Sequence, residues 1–168
     1  KYQIMFSIDA LITSVRKRFV AVTFAGCPPV FLAGLTEIGG DDPVVGAVHS
    51  GFMGTSLNII PNAIKEMRET KRVKVEETLE VVVGPGICGE HYEFDTALAY
   101  KLFAKYPTQI KEISGTDKCW LDLPGIIRIQ AIDAGVSPKR ISISSYCTWN
   151  DNAFLFDPFI FAAITLPV

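Results

Sequence analysis

Val44-Val45-Gly46-Ala47-Val48-His49-Ser50-Gly51-Phe52-Met53-Gly54-Thr55 is the stretch on which the reading of this chain turns. Its small and β-branched apolar residues predict a buried strand, His49 closes that strand, and a glycine-containing turn leads on toward a helix. The pattern has a precedent upstream, where Phe19-Val20-Ala21-Val22-Thr23-Phe24 predicts another buried strand that runs toward Cys27-Pro28-Pro29-Val30. Cys27 and His49 therefore fall where strands meet loops, and loops held by a rigid sheet commonly carry function.

Thiolate and neutral imidazole are the donors zinc prefers, at roughly 2.3 and 2.0 Å, and a catalytic zinc usually takes three protein ligands and keeps one position open. This pair supplies two of the three. A structural reading stands beside the chemical one: Cys27 as a small buried hydrophobe, and His49 as a core histidine bonded to a backbone carbonyl. Gly51 and Gly54 would let backbone N–H groups approach an anion such as phosphate at a helix N-terminus. Tight packing of strand against helix accounts for two glycines equally well.

Further along, Thr55 is read as the cap of a helix running to about Glu69, with Leu57, Ile60, Ile64 and Met67 on one face. Pro61 is tolerated only near a helix start, so the regular part should begin close to it, after an irregular turn. Val81-Val82-Val83 predicts a short buried strand before Gly84-Pro85-Gly86-Ile87-Cys88-Gly89, a turn followed at once by His91, Tyr92 and Glu93. Glu93 is expected to cap a helix through Ala97, Leu98, Leu102 and Phe103. Leu123-Pro124 opens another helix that Gly135 and Pro138 close. Ile141-Ser142-Ile143-Ser144 alternates like a half-buried strand leading to Cys147-Thr148, and Ile160 to Thr165 supplies a last strand. Phe154, Phe156, Phe159 and Phe161 surround Pro158, and aromatic core packing is favoured there over stacking on a base or phenol.

Taken in order, Asp9-Ala10-Leu11-Ile12-Thr13, Ala25-Gly26-Cys27-Pro28-Pro29-Val30, Ala47-Val48-His49-Ser50-Gly51-Phe52-Met53-Gly54-Thr55 and Gly84-Pro85-Gly86-Ile87 form a series whose intervals are fairly specific. Leu121-Asp122-Leu123, Ala134-Gly135-Val136 and Tyr146-Cys147-Thr148 continue it. Through most of its length the chain resembles the laccase-domain family, also called the polyphenol oxidase or multicopper polyphenol oxidase family. The resemblance implies an α/β (α+β) fold, a sandwich of mixed β-sheets flanked by helices, as one domain over residues 1–168. It also implies zinc-dependent purine nucleoside phosphorolysis of adenosine or inosine, with adenosine deamination in the same pocket. Carried over, the family's metal ligands and catalytic residues fall on Cys27 and His49, and a Gly-Pro loop borders the active site. That places Gly51, Gly54, Thr55, Gly86 and His91 as substrate-binding candidates. The family's third ligand is a histidine from an upstream segment that this chain does not include, and His91 is the candidate substitute.

The chain also departs from the family. Gly26 stands where an acidic residue usually precedes the cysteine, Phe52-Met53 replaces a Trp-Arg or Trp-Lys pair, and Phe154-Leu155-Phe156-Asp157-Pro158 replaces a basic aromatic run. Losing an arginine removes a bidentate donor suited to phosphate. A degenerate, non-catalytic relative serving as a binding or scaffold subunit is therefore the main alternative. Copper-dependent polyphenol oxidation is a further one, since copper also accepts these donors, but the 2 histidines of the chain cannot build a multinuclear copper centre. A cysteine hydrolase with His49 as the base of Cys27 is the last, and needs the two about 3 Å apart.

At 168 residues the chain can bury a full core. Its 49% hydrophobic content and mean hydropathy of +0.29 suggest that a second copy, or a missing N-terminal segment, covers some apolar surface. A net charge of −2, with only short basic clusters such as Arg16-Lys17-Arg18 and Lys71-Arg72, argues against nucleic acid. No apolar run reaches the ~20 residues of a membrane helix, and no leading signal segment is visible. Four widely spaced cysteines form no knuckle-like pair, which points to free thiols and a cytoplasmic setting.

Overall fold

The computed structural model describes residues 9–37, 42–150 and 160–165, of which 160–163 and 165 are described by backbone alone. In chain order the elements are β1 (Ala10–Thr13), β2 (Phe19–Phe24), β3 (Pro29–Leu35), β4 (Pro43–His49), α1 (Phe52–Ser56), α2 (Ile59–Glu69), α3 (Val75–Thr78) and β5 (Glu80–Val83). There follow β6 (Glu93–Asp95), α4 (Thr96–Phe103), β7 (Ile110–Glu112), β8 (Lys118–Leu121), α5 (Leu123–Asp133), β9 (Ile141–Ile143) and β10 (Ile160–Thr165). The main sheet is ordered β1-β4-β3-β5-β9, antiparallel except for the parallel pair β5 and β9. A β10-β2 ribbon and a β6-β8-β7 sheet complete the framework. Mixed sheets flanked by helices are what the sequence predicted.

The apolar run of β4 follows from burial on both faces, which removes the need for alternation. On one face Val44 and Val48, with Val30 and Leu32 of β3, share a core with Ile60, Ile64 and Met67 of α2 and with Leu123, Ile126 and Ile127 of α5. On the other, Val45 and Ala47 meet Val20 and Val22 of β2, with Phe31, Ala33 and Ile164 packed alongside. Val20, Val22 and Phe24 are buried while Phe19 is 69% exposed, so β2 is half-buried rather than buried as expected.

Two predicted helix starts need correction. Thr55 lies inside the short α1, and α2 begins only after Asn58, whose positive φ of 58° breaks the path between them. Its hydroxyl donates to the Gly51 carbonyl at 2.8 Å, which makes it part of the turn rather than a cap, and Leu57 is left 66% exposed. Pro61 then falls in the first turn of α2, where its missing N–H costs nothing, as the sequence implied. Likewise Glu93 does not cap α4. Pairing opposite Trp120 draws it into β6, and the Asp95 carboxylate accepts from the Leu98 N–H at 2.8 Å instead.

Of the other predicted elements, α5, β9 and β10 fall where expected, whereas β5 is half-buried rather than buried, with Val82 45% exposed; β3, α3, β7 and β8 had no forecast in the sequence. Asp122 caps α5 by accepting from the Gly125 N–H at 2.9 Å, Pro124 sits in its first turn, and Gly135 ends it with a φ of +99° that favours glycine. The segment containing Phe154, Phe156 and Phe159, and the Phe161 side chain, lie outside what the structure describes. Among the described residues no helix is long and apolar enough to cross a membrane.

Candidate functional site

His49 ends β4 directly opposite Pro29 of β3, and this register sets it beside Cys27, just before β3 begins. Two backbone bonds fix the junction: the Ser50 N–H donates to the Pro28 carbonyl at 3.1 Å, and the His49 N–H donates to the Asp9 carbonyl at 2.7 Å. The Asp9 carboxylate, at the start of β1, reaches His49 Nδ1 at 3.1 Å. The neighbouring Cys27 side chain raises the imidazole pKa from 6.5 to about 9; burial opposes it, and the bond to Asp9 adds to it. A cysteine, a histidine and a carboxylate that orients the imidazole thus converge where three strands end. The sequence singled out two of these and missed the role of Asp9.

Gly51 is required here by space. A Cβ at this position would lie 2.9 Å from Cys27 Sγ and 3.5 Å from His49 Cε1, closer than a side chain permits without displacing the sulfur. Gly54 is under no such constraint, since its nearest neighbours would be 3.5 Å away or more. Thr55 is fully buried, and its hydroxyl also meets Ser50 Oγ at 2.9 Å. It braces the turn from within. Gln130 of α5 completes the brace, donating to the Thr55 carbonyl at 2.8 Å. A buried glutamine inside an apolar helix was the available signal for this contact.

The Gly84–Gly89 turn presses onto the same junction. The Ile87 N–H donates to the Gly26 carbonyl at 2.8 Å, and a Cβ on Gly86 would lie 3.0 Å from the Pro28 backbone. Tyr92 sits near enough to Cys27 for the cysteine to add to the effect of burial in raising its phenol pKa. Phe94 links Tyr92 to Phe52 through ring contacts of 5.5 and 5.4 Å, and all three pack against the core. Met53, which stands where the family has a basic residue, is 53% exposed.

His91 belongs to a different arrangement. Its Nδ1 lies 3.0 Å from Cys88 Sγ and 3.7 Å from Cys147 Sγ, and its ring stacks on Trp149 with centroids 6.5 Å apart. Among the described residues these three are the group whose donor atoms lie within 4.8 Å of one another. The geometry therefore assigns His91 to Cys88 and Cys147 rather than to Cys27 and His49. Burial would raise the Cys147 thiol, but the Cys88 N–H and thiol and the N–H groups of Trp149 and Asn150 stabilise its thiolate and bring it down to about 7. Burial, and donation to Cys147, push Cys88 the other way. A cleft of about 500 Å³ opens next to this cluster, lined by Gly86, Cys88, Asp122, Arg128, Ser144 and Tyr146 among others, with neither Cys27 nor His49 in its walls.

The fold recurs in solved bacterial structures. A hypothetical protein of Bacillus licheniformis, YfiH, matches with a TM-score of 0.82 at 23% identity, over 95% of this chain and 61% of that one. YlmD of Geobacillus stearothermophilus matches at 0.81 and 22%, over 96% and 62%. These likenesses define a mixed α/β architecture. The family described as multi-copper polyphenol oxidoreductase laccase matches residues 2–157, and the chain belongs to that family. Among curated relatives, a protein of Rickettsia conorii named purine nucleoside phosphorylase is 32% identical over 143 residues, 82% of this chain and 55% of its own. One so named in Deinococcus radiodurans is 34% identical over 136 residues, 80% and 50%. The Bacillus subtilis phosphorylase YlmD is 28% identical over 153 residues, 88% and 52%. The chain thus spans about half the length of the curated relatives it matches.

Proposed function

We propose that Cys27 and His49 are ligands of a catalytic zinc in a purine nucleoside phosphorylase acting on adenosine or inosine. The observation that carries this reading is the convergence of Cys27, His49 and Asp9 at one strand-end junction. A thiolate and an imidazole fit zinc, and a carboxylate on the far nitrogen is the usual outer partner of a ligating histidine. With Nδ1 held by Asp9, Nε2 is the nitrogen left for the metal. When bound, zinc supplies Lewis-acid polarisation and a lowered pKa for coordinated oxygen. The relatives named purine nucleoside phosphorylase support the substrate class.

In phosphorolysis an oxygen of phosphate forms a bond to C1′ of the ribose, the N-glycosidic bond breaks with its electron pair going to the base, and the base takes up a proton. Tyr92, with its phenol kept protonated, can donate a hydrogen bond to phosphate or base. Gly51 keeps the space over the sulfur clear, and Gly86 holds the bordering loop against Pro28. Adenosine deamination would use the same donors. Multinuclear copper chemistry does not fit these residues, because His49 and His91 belong to separate groups. Cys27, Cys88, Cys119 and Cys147 are not joined in disulfides, which supports a reducing, cytoplasmic setting.

A second reading, a non-catalytic relative, is favoured by one observation: the exposed apolar Met53 at a position suited to an anion-binding side chain. Incubating zinc-loaded protein with adenosine or inosine, with and without phosphate, separates the two. Phosphate-dependent release of free base, lost in Cys27→Ala, supports the enzyme; inosine formed from adenosine adds deamination. No product from either nucleoside would leave the non-catalytic reading standing.

A further inference from the structure

We propose that Cys88, His91 and Cys147 form a second zinc site, separate from Cys27 and His49 and built from two sulfurs and one imidazole with a fourth position open. Zn–S bonds of about 2.3 Å and Zn–N bonds of about 2.0 Å in a tetrahedron set N···S edges near roughly 3.5 Å. The observed 3.0 and 3.7 Å bracket that value, and all three donor atoms lie within 4.8 Å of one another.

The donors are held in place by the chain around them. Residue Gly86 bridges to Cys147 in parallel register, the Thr148 N–H donates to the Gly86 carbonyl at 3.0 Å, and the Cys88 N–H donates to Cys147 Sγ at 3.3 Å. Backbone N–H groups aimed at sulfur are the kind of outer contact that supports thiolate ligands. The Trp149 ring lies nearly parallel to the imidazole, with centroids 6.5 Å apart. Cys147 is buried while Cys88 and His91 are half-buried, and Cys88 lines the adjacent cleft, which gives a cation its way in. Soft sulfur donors and the absence of a carboxylate from the group select zinc over magnesium, calcium or manganese. Its effect would be to clamp the loop after β5 to the segment after β9, which the backbone already brings together.

The test is a zinc titration of reduced, metal-stripped chain carrying Cys27→Ala and His49→Ala. One equivalent of zinc should bind, and cobalt in its place should show thiolate-to-metal charge-transfer absorption. Adding His91→Gln or Cys88→Ser should weaken zinc by more than the roughly 10–100-fold that loss of an outer partner costs, with the circular dichroism unchanged. In the otherwise unaltered chain, His91→Gln alone should lower bound zinc by one equivalent, which keeps the test sound if the double variant fails to fold. Folded protein that takes up no zinc at this site would overturn the proposal, as would uptake indifferent to both substitutions. A Cys88–Cys147 disulfide in aerobic protein, with no zinc uptake after reduction, would overturn it in favour of a redox pair.

Discussion

The two cysteine–histidine groups of this molecule are assembled in different ways. Cys27 and His49 are brought together by a single antiparallel pairing, β3 on β4, and each stands at the end of a strand that the core holds from both sides. Cys88 and His91 meet Cys147 only because β5 and β9 run parallel and deliver loops that are distant in sequence to the same end of the sheet. The first group offers two donors and an orienting carboxylate; the second offers three donors within 4.8 Å of one another. The stronger family signal thus falls on the less complete donor set, which fits a site that leaves room for substrate, while the tighter set fits a clamp.

The sharpest way to break this comparison is Cys27→Ala. On the proposed reading, removing a ligand of the catalytic metal would forfeit several kcal/mol of transition-state stabilisation, so phosphorolysis should fall by about 10³-fold or more while the Cys88 cluster keeps its metal. Steady-state base release and metal analysis on the same sample check both halves. Next in size, zinc at one hundred times its dissociation constant for the second site should stabilise the fold by about 2.7 kcal/mol. Thermal unfolding should show that gain in the Cys27→Ala chain and lose it in the Cys88→Ser chain.

Smaller still, Asp9→Asn should weaken metal binding at Cys27 and His49 by roughly 10–100-fold, because the imidazole loses the partner that orients it, and should leave the second site alone. The last effect concerns pH. In metal-free protein the His49 pKa is raised from 6.5 to about 9, so the contacts of protonated His49 add stability fully below pH 6.5, and that gain is lost as pH rises through 9. Zinc must displace this proton, so its affinity for the first site should climb roughly tenfold per pH unit up to about 9. Calorimetric titrations at a series of pH values read this slope.

How far the sequence spoke can be judged element by element. The unbroken apolar run of β4, the proline in the first turn of α2, and the Leu123-Pro124 start and Gly135 end of α5 are local signals, and each was legible. Thr55 and Glu93 were misread as caps because tertiary contacts decided them: one braces a turn under Gln130, the other is drawn into β6 opposite Trp120. Cys27 and His49 stood out as polar residues ending apolar runs. The cluster at Cys88 was hidden, because Cys147 lies far along the chain and only the parallel crossover through α5 brings it back. Asp9 was quoted in the series that carries the resemblance, but nothing local marked it as the partner of His49.

The most direct test of the account is the initial rate of phosphate-dependent base release from inosine, measured side by side in zinc-loaded wild-type, Cys27→Ala and Cys88→Ser protein and normalised to folded chain. The account predicts activity in wild-type and Cys88→Ser and its loss in Cys27→Ala. Activity that survives Cys27→Ala, or that disappears with Cys88→Ser instead, would contradict it.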